Sequence, residues 1–289
     1  MLLDGKLVKN KLLENLENEF KSIKTTLVVI QVGDDFASSK YIKQKEKMAN
    51  KLGVQFKLEK FDKATTEEVN SVISKYNEDK SVSGIIVQLP LPDNIDYESI
   101  RNNISFVKDI DGVNDINRIK LVDGKSDALI PCTALGIMKI FDFYNIDLAG
   151  SDVVIIGRSI HIGKALYNLL INRDATVTMC HSKTRNLKKY TKHADIIITS
   201  VGKANFITQD MVRNNVCLVD VGFNYYNNQI CGDVSKDLVK YKYLTPVPGG
   251  VGQMTVYSIF DATDFFCFWI QNKQSKAIVW LLNDLTADH

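Results

Sequence analysis

Paired cysteines, clustered histidines and long apolar runs are all missing from this sequence. Its five cysteines, Cys132, Cys180, Cys217, Cys231 and Cys267, are odd in number, and no two stand in CxxC spacing. That argues against a disulfide framework and a structural zinc site, and suits free thiols in a reducing compartment. The four histidines have no ligand-like spacing either, so no metal is expected. No stretch approaches the ~18 apolar residues of a membrane span, and the most apolar pieces, Phe265–Ile270 and Ala277–Leu282, are short. The N-terminal residues carry charges throughout, unlike a secretory signal, so a cytoplasmic protein is expected. Neither sign of charge dominates: 36 Lys and Arg face 34 Asp and Glu, a formal net charge of +2. Nothing in that balance selects nucleic acid or a membrane surface as partner. No internal repeat or low-complexity segment stands out.

What is present is ordinary for a globular enzyme. The 289 residues are 45% hydrophobic and 24% charged, enough for two domains at roughly 100–200 residues each. Apolar strand-like runs alternate with helical spacing, the pattern of parallel sheets covered by helices, so the expected class is a two-domain α/β fold. In the first half, strands are expected at Thr25–Val32, Val54–Phe61 and Gly84–Leu89, and helices at Ser38–Leu52 and Thr65–Tyr76. Pro90 and Pro92 end the third strand. The stretch Lys108–Lys125, with KDIDGVNDIN and VDGK, reads as turn chemistry near a domain junction. Beyond it, a helix is expected at Thr133–Tyr144, strands at Asp152–Gly157, Ala175–Cys180, Asp195–Val201 and Val216–Val221, and a helix at Ile162–Ile171. The tail past Thr255 looks helical.

Two places carry chemistry. The run VVIIGRSIHIGKAL sets Gly157, Arg158, Ser159 and Gly163 between a strand and a helix, where backbone N–H groups and the helix dipole can meet a phosphate. It departs from GxGxxG, because Ser159 replaces the second glycine and the last glycine comes one residue late. By itself it also suits a tight turn without ligand. The following strand ends in His181, Ser182, Lys183 and Thr184, with no carboxylate to bind ribose hydroxyls. Ser182, Lys183 and Arg158 can instead surround a 2′-phosphate, which favours NADP over NAD. The other place is Tyr41 and Lys45, four residues apart and therefore on one helical face. A lone Y-x-x-x-K usually decorates a surface. Here it is joined by VQLPLP, with Gln88 at the carboxyl end of a strand where α/β sheets bind ligands. KDIDG adds Asp109 and Asp111. TPVPGGVGQMT forms a loop whose glycines allow close backbone approach to a flat ligand. The DIDG turn lacks the further carboxylates of a calcium loop.

With these segments together, the sequence resembles the methylenetetrahydrofolate dehydrogenase/cyclohydrolase family. The matches run in order: SSKYIKQK, GIIVQLPLP, KDIDG, PCTALG, GRSIHIG, TVTMCHSKT, ADIIITSVGK, DVGFN, GDV and TPVPGGVGQMT, spanning about residues 30–256. The resemblance implies a folate-binding catalytic domain over 1–121, onto which the tail 256–289 packs back, and a Rossmann-like NADP-binding domain over 122–255. It implies that Tyr41 stacks on the aminobenzoate of folate, that Lys45 is the catalytic lysine, and that Gln88 adjusts its proton affinity. Asp111 would hold the pterin, completing a catalytic set of Lys45, Gln88, Tyr41 and Asp111. Val87, Leu89 and the loop residues Pro248, Gly249, Gly250 and Val251 would also contact the substrate. Gly157, Arg158, Ser159, Gly163, Ser182, Thr184 and Phe223 would contact NADP. The family is usually a homodimer.

The implied chemistry oxidises 5,10-methylenetetrahydrofolate to the methenyl cation and hydrolyses that to 10-formyltetrahydrofolate. The cofactor performs the redox step, so the protein mainly positions two rings; the hydrolytic step needs a proton carrier. The family usually has proline where Ala134, Ala165 and Gln253 stand, and the tail after Thr255 also departs from its pattern. A dehydrogenase with weak or absent cyclohydrolase stays open as a reading. A non-catalytic paralogue that binds folate or nucleotide would be expected to have lost Lys45, Gln88 or Asp111, and all three are present. A reductase resembling shikimate dehydrogenase would not explain VQLPLP together with TPVPGGVG.

Overall fold

The computed structural model describes residues 1–226 and 228–272, with side chains described except at 36, 37 and 264–272. The chain forms two compact units. Glu14–Ile130, with the stretch that begins at Ile259, makes one; Met1–Leu13 and Pro131–Ser258 make the other.

In the first of these, β1 (Thr26–Val32) lies between β2 (Gln55–Phe61) and β3 (Val82–Val87) in a parallel sheet of order β2-β1-β3. Every residue of β1 and β3 is buried, as expected of parallel strands covered on both faces. The edge strand β2 instead mixes exposed and half-buried positions. Helix α2 (Phe36–Leu52) starts where the Asp35 carboxylate accepts the Ser38 N–H, and it stops at Gly53, whose φ of 72° places it in the left-handed region. Helix α3 (Thr66–Glu78) opens with a complete capping box between Thr65 and Glu68. Its inner face, Val69, Ile73 and Tyr76, packs with Val28, Ile30, Ile85 and Ile100 in one core. Ile100 belongs to α4 (Tyr97–Asn103).

The Lys108–Lys125 stretch is only partly turn. Gly112 turns at φ 60°, and then α5 (Asp115–Val122) forms, capped by the Asn114 side chain on the Ile116 N–H. Asn114 also donates to the carbonyl of Ile104 at 2.9 Å, so a residue read as turn-forming is here a buried helix cap.

In the other unit a five-stranded parallel sheet has the order β10-β7-β6-β4-β5. Its strands are β4 (Asp152–Ile156), β5 (Thr176–Cys180), β6 (Ile196–Thr199), β7 (Val216–Asp220) and β10 (Tyr241–Leu244). Helices α6 (Cys132–Phe143) and α7 (Gly163–Ile171) accompany them, with the single turn α8 (Lys188–Thr191) and the hairpin β8 (Asn224–Tyr226) and β9 (Gln229–Cys231). Val154, Ile156, Ile197 and Leu218 form the centre of its core. Helix α1 (Gly5–Phe20) and helix α9 (Val251–Asn272) each run from one unit into the other. The apolar tail residues Phe265, Phe266, Phe268 and Trp269, expected to dock on a partner surface, have side chains outside the described residues, as do residues 273–289. Among the described residues, no helix is long and apolar enough to cross a membrane, and no group of three His, Cys, Asp or Glu is arranged to hold a metal ion.

Candidate functional site

In the three-stranded unit, the carboxyl ends of β1 and β3 meet the first half of α2. The Gln88 N–H donates to the Ile30 carbonyl at 2.8 Å, carrying the ladder one residue past β3. That bond fixes where the Gln88 side chain leaves the sheet. The Lys45 ammonium donates to Gln88 Oε1 at 2.9 Å, while Gln88 Nε2 donates to the Leu89 carbonyl at 2.8 Å. The Ser38 hydroxyl donates to the same carbonyl at 2.8 Å. The amide of Gln88 is thus oriented by its nitrogen, and its oxygen is committed to Lys45. Lys45 is only 7% exposed. Tyr41 stands one helical turn earlier and is half-buried; burial pushes its phenol up. Val87 is buried in the core and Leu89 is partly buried.

The KDIDG turn adds acid. Asp109 is fully buried. Its Oδ2 accepts the Asn114 N–H at 2.8 Å and Asn117 Nδ2 at 2.9 Å, and its Oδ1 has no hydrogen-bond partner. Burial pushes this carboxyl up to about 6, against the lowering effect of those donors. Asp111, two residues on, is half-exposed. Tyr97, at the start of α4, has its phenol pushed up by burial and then by the charges of Asp111 and Asp109. No motif marks Tyr97 in the sequence, and only the fold brings it to the acidic turn. Lys108 is turned away from this chemistry: its ammonium donates to the carbonyls of Tyr76, Asn77 and Asp79 at 2.9, 2.7 and 2.8 Å.

In the five-stranded unit, the turn after β4 is closed by two glycines. Gly157 has φ 132°, and a Cβ there would press on the Ser200 carbonyl at 2.8 Å; a Cβ on Gly163 would overlap the Gly157 carbonyl. Arg158 and Ser159 stand exposed between them. At the end of β5, Ser182 and Lys183 are exposed, and the Thr184 hydroxyl accepts the His181 N–H at 2.9 Å. Thr184 therefore shapes the turn with the oxygen expected to meet the cofactor. Phe223 is 46% exposed beside β8. The residues fit NADP: a cradle that Cβ atoms would fill, a helix N-terminus behind it, an exposed guanidinium, and no carboxylate at the end of β5.

The glycine-rich loop belongs to this unit as well. The Thr245 hydroxyl accepts the Asp220 N–H at 2.8 Å, the Gly250 N–H returns to the Pro246 carbonyl at 2.7 Å, and Gly249 sits at φ 113°. Pro248 is exposed and Val251 is buried.

Comparison with known proteins gives a consistent result. A family model described as the tetrahydrofolate dehydrogenase/cyclohydrolase catalytic domain matches residues 3–111, and the NAD(P)-binding domain of the same family matches residues 131–265. Bifunctional protein FolD 2 of Lactobacillus johnsonii is 46% identical over 266 residues, which is 89% of this chain and 94% of that protein. Bifunctional protein FolD of Bacillus subtilis is 44% identical over 88% of this chain and 93% of its own. Among solved structures, the bifunctional methylenetetrahydrofolate dehydrogenase/cyclohydrolase of Campylobacter jejuni superposes with a TM-score of 0.91 at 41% identity, covering 93% of this chain and 99% of that one. The enzyme of Trypanosoma brucei, solved with NADP cofactor and an inhibitor, superposes with a TM-score of 0.89 at 27% identity, covering 94% and 98%.

Proposed function

The chain belongs to the tetrahydrofolate dehydrogenase/cyclohydrolase family, and from that premise we propose that it oxidises 5,10-methylenetetrahydrofolate with NADP and hydrolyses the methenyl product to 10-formyltetrahydrofolate. The observation that carries this reading is the Lys45–Gln88 bond at 2.9 Å, which holds the amine of a lysine only 7% exposed at the carboxyl end of a parallel sheet.

NADP, when bound, supplies the hydride acceptor. The work of this chain in the redox step is positional. The turn from Gly157 to Gly163 offers its N–H groups to the pyrophosphate, and Arg158 and Ser182 read the 2′-phosphate. Tyr41 offers its ring to the aminobenzoate, and Asp111 accepts from the N–H groups of the pterin. Pro248, Gly249, Gly250 and Val251 contribute their backbone to folate. The hydrolytic step moves protons. Water adds to the methenyl carbon, a base takes a proton from it, and a proton is returned to the ring nitrogen when the C–N bond opens. Lys45 is assigned that exchange, and Gln88, locked on the Leu89 carbonyl, holds the amine in one direction.

The same reading makes the protein a cytoplasmic homodimer that supplies one-carbon units to purine and amino-acid synthesis, with neither nucleic acid nor membrane as partner. The near-balanced charge supports the last part, and the usual assembly of the resembling family supports the dimer. The direct test gives the purified protein methylenetetrahydrofolate with NADP or NAD and follows methenyl absorbance. Transient methenyl absorbance that decays to 10-formyltetrahydrofolate is expected. Stable accumulation would show a dehydrogenase alone, and no turnover would show a binding protein.

A further inference from the structure

The glycine-rich loop is held from one side by the first turns of α1. The Lys6 N–H donates to the Gly249 carbonyl at 3.0 Å, and Gly5 lies so close that a Cβ would overlap the Gly250 carbonyl. One turn further along α1, the Lys9 ammonium donates to Gln253 Oε1 at 2.7 Å, a partly buried bond that joins residues 244 positions apart. Gln253 is the third residue of α9, where the resembling family usually has proline. A proline in a first helical turn locks φ, and at this position the ring would replace the Gln253 N–H that donates to the Gly250 carbonyl at 3.1 Å. This chain lacks that lock. It has instead a side-chain amide gripped by a charged donor, the stronger class of hydrogen bond.

We propose that Lys9 is a positioning residue for folate: through Gln253 it holds the Pro248–Val251 turn in its receiving conformation, replacing with a charge-assisted bond the stiffness that a proline ring gives. The proposal rests on the reading that this turn contacts folate. Lys9 itself touches neither the reacting atoms nor, by this assignment, the substrate.

The test uses the full chain as Lys9→Met, Lys9→Arg, Gln253→Pro and the Lys9→Met, Gln253→Pro double variant. Because Lys9 acts on folate only through the turn, part of the lost bond reaches binding, and Lys9→Met should raise KM for methylenetetrahydrofolate roughly three- to tenfold, below the effect of losing a direct charge-assisted bond, with kcat and KM for NADP unchanged. Amide exchange of residues 246–256 should quicken in the same protein. Lys9→Arg should restore both. In the Gln253→Pro background, Lys9→Met should change neither, because the ring supplies the lock. Should Gln253→Pro fail to fold, Gln253→Ala serves: it should match Lys9→Met, and the double variant should be no worse than either. Unchanged exchange and KM in Lys9→Met would overturn the proposal, as would an equal effect in both backgrounds. Faster exchange with unchanged KM would overturn it differently: the lock would stand, and the assignment of the turn to folate would fall.

Discussion

Asp220 and Asp233 are stacked in one hydrogen-bond relay: Asp220 Oδ1 accepts the Asp233 N–H at 2.9 Å, and the Asp233 carboxylate gathers the N–H groups of Val201 at 2.7 Å and Lys203 at 2.8 Å. Asp220 also accepts from Gly222 and Val234, and Asp233 from the Thr199 hydroxyl. Two buried carboxylates thereby shape the loops at the carboxyl ends of β6 and β7, the end where such sheets bind nucleotide. Gly222 and Gly232 exist to let them in, since a Cβ on either would overlap a carboxylate of the pair. Gly232→Ala should therefore destabilise the protein by ~1–3 kcal/mol, as overpacking does, and weaken NADP more than folate. Urea unfolding and the two KM values check this. A variant of normal stability and normal KM for NADP would show that the relay tolerates a methyl group.

Asp109 gives a pH prediction. Its carboxyl is pushed up from 3.8 to about 6 by burial, so the folded state holds that proton more tightly than the unfolded state does. Its stability contribution is greatest below pH ~4 and is withdrawn as pH rises through about 6. Asp109→Asn cannot titrate. The stability of the native protein minus that of the variant should fall between about pH 4 and 6, the range between those two values. A difference that stays level with pH would show that Asp109 binds its proton equally in both states.

Much of the fold is legible in the residues, and the illegible parts have physical causes. Buried parallel strands such as Leu27–Ile30 announce themselves because nothing polar interrupts them. Helix α5 does not, because its caps, Asn114 and Asp115, are also turn formers, and only tertiary bonds from Asn114 to buried carbonyls decide between the two. Ala134, Ala165 and Gln253 look like three scattered departures from proline. In the structure each is the third residue of a helix, α6, α7 and α9 respectively, a place proline tolerates and does not need. The site is legible as motifs, but not as bonds. Nothing in KDIDG tells that its lysine serves a helix end, or that Tyr97 stands near its acids.

Lys108 is the lysine of the KDIDG turn, and its role is separable from that of Lys45. With three carbonyls near the C-terminus of α3 accepting from it and 7% exposure, it caps that helix and neutralises its dipole. Lys108→Met should leave those carbonyls short of partners and cost ~2–4 kcal/mol. Dehydrogenase and cyclohydrolase should decline together on warming, in step with unfolding by circular dichroism. Selective loss of one activity at full stability would return Lys108 to the reaction.

Arg158 is exposed in the phosphate turn, and no carboxylate stands at the end of β5. Arg158→Ala should raise KM for NADP roughly 10- to 100-fold, the range of a lost charge-assisted bond to phosphate. NAD, which has no 2′-phosphate, should change little. Equal losses for the two cofactors would place Arg158 on the shared pyrophosphate instead.

The sharpest prediction concerns Lys45. Hydride transfer needs the two rings aligned, and the acceptor is electrophilic already, so that step asks geometry of the protein more than a proton. Hydrolysis cannot proceed without proton transfer, because water must lose a proton and the departing nitrogen must gain one. Lys45 meets the demand by place: it is buried, it sits one turn from Tyr41, and Gln88 Oε1 holds its amine at 2.9 Å. Methionine keeps the length and apolar stem of lysine while removing the amine. Lys45→Met should therefore lower cyclohydrolase activity by at least ~100-fold, the low end for removing a general acid or base. Part of the dehydrogenase activity should survive, so methenyltetrahydrofolate accumulates. Gln88→Glu should behave differently, because it puts a negative charge against the amine without removing it; the pH profile of hydrolysis should move toward higher pH. Both activities are measured separately, on methylene- and on methenyltetrahydrofolate. Normal hydrolysis by Lys45→Met would refute the assignment and leave buried Asp109 and half-exposed Asp111 of the KDIDG turn, with Tyr97 near them, as the groups to test next.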